Sequence, residues 1–184
     1  MRRKGLRLRS GHALIAALTL GLGLAACSSL SAVRQPVTPM HVDAGRAASL
    51  ISSYRAQNGL GRVGVDSRLT SAATSYARAM GQSDKINHKI GGSLPKRVTA
   101  SGYHWGAAAE NLAAGYSSLD AAMAGWKASA GHRRNLLNPH VTEIGIAAVA
   151  TPAGSKHRNY WALILAAPQA DRVAAGPFGM ELVR

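Results

Sequence analysis

Two apolar runs in the second half of the chain set the tightest limit on its architecture. Residues 144–150 read Ile-Gly-Ile-Ala-Ala-Val-Ala, and residues 160–166 read Tyr-Trp-Ala-Leu-Ile-Leu-Ala. Neither run alternates polar with apolar, and each has the length of a strand. Such strands are buried on both faces. Thr151-Pro152-Ala153-Gly154 between them suits a turn with Pro at its second position. The pair predicts an antiparallel hairpin that helices cover from both sides, because a single layer would leave one apolar face wet.

Upstream, the period becomes that of a helix. Asp43 can cap a segment in which Ala47, Leu50, Ile51 and Tyr54 share one face, ended by Asn58-Gly59. Asp66 or Ser67 can cap a second, with Leu69, Ala72, Ala73, Tyr76, Ala77 and Met80 on one stripe and Gly81 as the expected stop. A third is expected from Ser93, with Pro95 in its first turn, to about Gly102. A fourth starts at Ser117 or Ser118 and carries Leu119, Ala122, Met123 and Trp126. Together these predict an α/β fold: a three-layer α-β-α sandwich of about four helices around a small, mainly antiparallel sheet. Aromatic residues make up only 5% of the chain, and the helix faces rely on Ala, so the layers should approach closely.

The N-terminus has a different character. Arg2, Arg3, Lys4, Arg7 and Arg9 precede an apolar stretch at residues 13–26. A basic segment, an apolar segment of this length and then small residues form a secretory signal, too short to span a bilayer comfortably. Leu24-Ala25-Ala26-Cys27 resembles a bacterial lipoprotein box, and Cys27 is the single cysteine of the chain. The resemblance implies cleavage before Cys27 and its lipidation, and with Ser at residue 28 it implies an outer-membrane address where the cell has one. The expected organisation is a signal over residues 1–26, a tether over 27–41, one domain over 42–168 and a tail over 169–184.

The formal charge of +14 falls to +9 once the five basic residues of the leader are removed. That excess has no nucleic-acid-binding motif beside it. The expected partners are the membrane, through the anchor at Cys27, and an anionic envelope polymer or lipid; the domain is expected to be a monomer.

Several short patterns stand in a fixed order: Tyr54-Arg55-Ala56-Gln57-Asn58-Gly59, Ile86-Asn87-His88, Glu110-Asn111-Leu112, Trp126 through Ser129 to Gly131-His132, Glu143-Ile144-Gly145, and Tyr160-Trp161. In this order and spacing the chain resembles the bacterial branch of the CAP superfamily, which includes cysteine-rich secretory, antigen 5 and pathogenesis-related 1 proteins. The resemblance implies an α-β-α sandwich with a cleft lined by two His and two acidic residues. His88 matches the first His, Glu110 the first acid and His132 the second His. Where eukaryotic members carry the second acid, this chain has Ser129. A four-ligand or paired-carboxylate mechanism is thereby put in question.

The residues can be weighed on their own as well. Glu occurs at only three positions, and Glu110 does not sit on an obviously solvated face. A buried carboxylate needs a cation or strong donors. Imidazolium from His88 and His132 would serve, or all three could hold a zinc ion as His2Glu. A Ser129-His132-Glu110 relay is a further arrangement, although no Gly-x-Ser-x-Gly turn accompanies it. Structural pinning, reversible metal binding and catalysis therefore stay open at this trio. Glu143 is expected to make a local salt bridge with Arg133 or Arg134, and Trp126, Tyr160 and Trp161 to lie in the core.

Overall fold

The computed structural model describes residues 34–170. The signal, Cys27, the first part of the tether and the tail beyond residue 170 lie outside the described residues.

The expected hairpin forms the spine. Strands β4 (Glu143–Ala150) and β5 (Asn159–Pro168) pair antiparallel, from Glu143 opposite Ala166 to Ala150 opposite Asn159. Their connection, residues 151–158, is longer than a four-residue turn and closes with Thr151 N donating to Arg158 O at 2.9 Å. Strand β3 (Trp105–Ala114) pairs antiparallel with the other side of β5. Two short strands, β1 (Thr38–Pro39) and β2 (Gly64–Val65), run along the outer side of β4, antiparallel and parallel respectively. The sheet order is β1-β4-β5-β3, with β2 also on β4. Its first strand lies inside the segment expected to be tether.

Alternate residues of the spine feed two separate cores. Ile144, Ile146, Ala148, Trp161, Leu163 and Leu165 pack with helices α1 (Ala44–Ala56), α4 (Leu119–Ala128) and α5 (Ala130–Leu136). Val149, Tyr160, Ala162, Ile164 and Ala166 pack with α2 (Ser67–Ser83) and α3 (Leu94–Ala100) on the opposite face. The run at 160–166 is thus apolar throughout because each successive side chain has a core to enter. Trp126, Tyr160 and Trp161 are buried.

The helix starts follow the capping residues. Asp43 accepts from Arg46 N, Asp66 from Arg68 N and Leu69 N, and Ser118 from Ala121 N. Gly81 does not stop α2, which continues to Ser83 and turns off at Asp84 in the left-handed region (φ 50°). Gly81 has a packing role: a Cβ there would stand 2.8 Å from Val149 Cγ2 and 2.9 Å from Val37 Cγ1. Gly145 is tighter still, since a Cβ on it would meet the Leu69 carbonyl carbon at 2.0 Å. The close approach anticipated from the Ala-rich faces is concentrated where α2 crosses β4.

Strand β3 and helix α5 are additions to the expected elements. Ala, Gly and Asn have little intrinsic preference for strands, so Trp-Gly-Ala-Ala-Ala-Glu-Asn-Leu-Ala-Ala carries no strand signature, and β5 imposes the extended form. Arg55, 2% exposed, fixes the far end of α5 by donating to the carbonyl oxygens of Leu136, Asn138 and Val141.

Candidate functional site

Strand β3 ends the sheet order, so side chains from both helical layers can meet around its outer side. Glu110, in the middle of β3 and not in a loop, points into the α2–α3 layer. Its side chain is only 7% exposed. Oε1 lies 2.8 Å from His88 Nδ1, and Oε2 pairs with Arg97 Nη2. The cation that this carboxylate demanded is therefore Arg97, supplied by α3, with His88 as second partner.

Arg97 is held from several directions. Its Nη1 donates to the carbonyl oxygens of His88 and Gly92, and its Cζ lies 3.6 Å from the centroid of the Tyr76 ring. The Tyr76 hydroxyl donates to Asn87 O, which secures the turn carrying His88. Burial, helped by the negative charge of Glu110, pushes the Tyr76 phenol up to about 12, so it remains a donor at neutral pH. His88 itself is 62% exposed, and among the described residues Nε2 has no protein partner.

The other layer contributes through amides. Asn135 Nδ2 donates to Glu110 O and to Asn111 Oδ1, both at 2.9 Å. Asn111 Nδ2 in turn donates to His132 O at 3.0 Å, which places the start of α5 against β3. Burial, with a smaller contribution from the charge of His88, holds the His132 imidazole below the ordinary histidine value. The neutral imidazole is thereby favoured at His132.

Ser129 stands at the joint between α4 and α5. Its backbone N donates to Gly125 O and its carbonyl accepts from Arg133 N, while its side chain makes no cap bond. Glu143 does not pair with Arg133 or Arg134. It accepts from the Tyr103 hydroxyl, and Arg133 donates to Lys127 O instead. Tyr103 comes from the turn before β3, on the same side of the sheet as the start of β4, whereas Arg133 and Arg134 belong to α5 in the opposite layer.

The donor set can be held against the needs of zinc, the ion implied for His88, Glu110 and His132. Both Glu110 oxygens are already engaged, one by a guanidinium. Among the described residues no three His, Cys, Asp or Glu side chains stand together so as to hold a metal ion. The trio does not fit a three-ligand centre in this arrangement. The residue missing from the sequence reading was Arg97. Its signal was available: Leu94, Arg97 and Val98 share a face at i, i+3 and i+4, and Val98 is fully buried.

The order of these residues along the fold can be set against known families. The sequence model of the CAP, or cysteine-rich secretory protein, family matches residues 48–165. This chain belongs to the CAP family. The matched span runs from α1 nearly to the end of β5 and includes His88, Arg97, Glu110 and His132. Over 103 residues the CAP domain is 28% identical to the uncharacterized protein YkwD of Bacillus subtilis, covering 55% of this chain and 40% of that one. The chain thus spans less than half the length of this curated relative. An extracellular protein containing an SCP domain from Bacillus anthracis superposes with a TM-score of 0.57 at 24% identity, over 66% of this chain and 39% of that one. An outer surface protein from Borrelia burgdorferi superposes with a TM-score of 0.61 at 21% identity, over 72% of this chain and all of that one. At these identities the two structures show the fold.

Proposed function

We propose that this chain is a lipid-anchored, extracytoplasmic envelope protein whose CAP domain binds an anionic envelope polymer at the cleft formed by His88, Glu110 and His132. The observation that carries the reading is the state of His88. Glu110 grips Nδ1 at 2.8 Å while most of the imidazole remains open to solvent. A carboxylate on one ring nitrogen fixes tautomer and orientation, so the other nitrogen is presented to a ligand in a set direction. Arg97 neutralises Glu110 internally, and the exposed cations Lys85, Lys89, Arg133 and Arg134 flank the two histidines in sequence. Such a rim favours phosphate- or carboxylate-bearing chains. The Leu-Ala-Ala-Cys box at Cys27 and the extracellular and surface descriptions of the two structural relatives support the location.

The same His88–Glu110 pairing favours one alternative, a hydrolase in which His88 acts as an oriented general base. Titrating the protein with a phosphate-bearing wall glycopolymer, before and after removal of its phosphates, tests the binding reading. Binding should require phosphate and should be lost in His88→Ala and His132→Ala variants that remain folded. Retained binding in both variants refutes it, and ester hydrolysis that depends on His88 establishes the alternative. Detergent partitioning of wild type against Cys27→Ser tests the anchor, with a variant that stays in the detergent phase counting against it.

A further inference from the structure

A half-open cavity of about 270 Å³ lies between α2 and α3, with Arg97 in its lining. It exists because the facing positions are small. Ser75 and Ala79 on α2, and Ala100 on α3, leave space that Leu or Phe would fill. Tyr76 and Ile90 supply its apolar walls. Lys96 and Arg97 bring positive charge, and among the described residues no acidic side chain lines it. Arg97 Nε is buried and lacks a hydrogen-bond partner among the described residues. A buried N–H without an acceptor is uncommon in a native fold and calls for a partner, direct or through one water.

We infer that this cavity is a second ligand site, distinct from the cleft, that takes a small organic anion with a compact ring-sized apolar body. Size sets the body: a dry cavity of about 150 Å³ accommodates a benzene ring, so this one holds a ring with a carboxylate and a short substituent. Charge sets the head group, because Lys96 is the one cation of the lining without an acidic partner among the described residues, Arg97 being paired with Glu110. The site is also linked to the cleft. Arg97 is the wall between them, lining the cavity on one side and holding Glu110 on the other. Occupation should therefore be felt at His88 through Glu110, without any ligand contact to His88.

Benzoate is the probe and benzamide its neutral counterpart, titrated into the full-length protein while methyl and backbone NMR signals are followed. Benzoate should move the Ile90 and Tyr76 signals saturably, with millimolar-class affinity, and benzamide should bind at least about tenfold more weakly. Ser75→Leu and Ala79→Phe each fill the cavity from a helix position that faces it. Either variant that keeps its native spectrum should lose the response. Lys96→Gln should bring benzoate down to the level of benzamide. The inference is overturned if Ile90 shows no saturable shift, or if a folded cavity-filling variant still responds. It is also overturned if the shifts centre on His88 and His132 and spare Ile90, or if Lys96→Gln leaves benzoate affinity unchanged.

Discussion

Replacing Arg97 by Gln removes a permanent positive charge in hydrogen-bond contact with a carboxylate that is itself buried. Both side chains are 7% exposed, so neither can turn to water when its partner is lost. Breaking such a pair from one side costs about 3–5 kcal/mol, whereas an exposed ion pair would lose about 1 kcal/mol or less. The variant also loses the stack on Tyr76 and the donors to His88 O and Gly92 O, which places it at the upper end. For a domain of this size the melting temperature should fall by about 10–20 °C. Glu110→Gln leaves Arg97 with its two carbonyl acceptors and the Tyr76 ring, so it should cost less, about 1–3 kcal/mol. The double variant should be more stable than the sum of the two losses, by at least about 1 kcal/mol, since no lone charge stays buried. Chemical denaturation of the four proteins measures the cycle. A loss under about 1 kcal/mol for Arg97→Gln, or strict additivity, would refute the claim that Arg97 rather than a metal or imidazolium neutralises Glu110.

Two further outcomes follow from the packing and the titrating groups. Gly145→Ala should be among the most damaging single-methyl changes in the chain, because its Cβ would fall 2.0 Å from the Leu69 carbonyl carbon and 2.2 Å from Thr70 N. Expression and melting should show loss of the fold or several kcal/mol of destabilisation, and a wild-type melting temperature would mean that α2 does not sit on β4 as described. His132 is held below the ordinary histidine value, so the unfolded chain binds the proton first. Stability should be fully present above about pH 6.5 and decline as pH falls below it, with the slope reduced in His132→Gln. A wild-type slope in that variant would assign the titration to another group.

The hairpin was legible because burial on both faces leaves an unmistakable pattern, and the caps at Asp43, Asp66 and Ser118 were legible because the orphan N–H groups of a first turn select few residue types. Strand β3 was hidden for the opposite reason. Its Ala residues have small side chains that pack equally in a helix, and only pairing with β5 makes the segment extended. Helix α5 was masked by Gly131, whose cost is offset by the tie from Asn135 to β3 and by the hold of Arg55 on the segment after it. His88, Glu110 and His132 could be chosen from their residue types and their order. The charge balance among them could not, because Lys96-Arg97 reads as a solvated basic pair until the register of α3 turns Arg97 inward.

The two ends of β3 differ in a way that bears on solubility. The outward carbonyls of Glu110 and Leu112 already accept from Asn135 Nδ2 and Trp126 Nε1, and the register shifts between Trp105 and Ala107. An exposed strand margin ordinarily invites a second chain to extend the sheet, and proteins resist this by kinking the margin or occupying its hydrogen-bonding groups. Here one end is kinked and the other is occupied. A second copy of the chain is thereby kept from zipping onto this margin, and Asn135, which helps to block it, also ties β3 to α5.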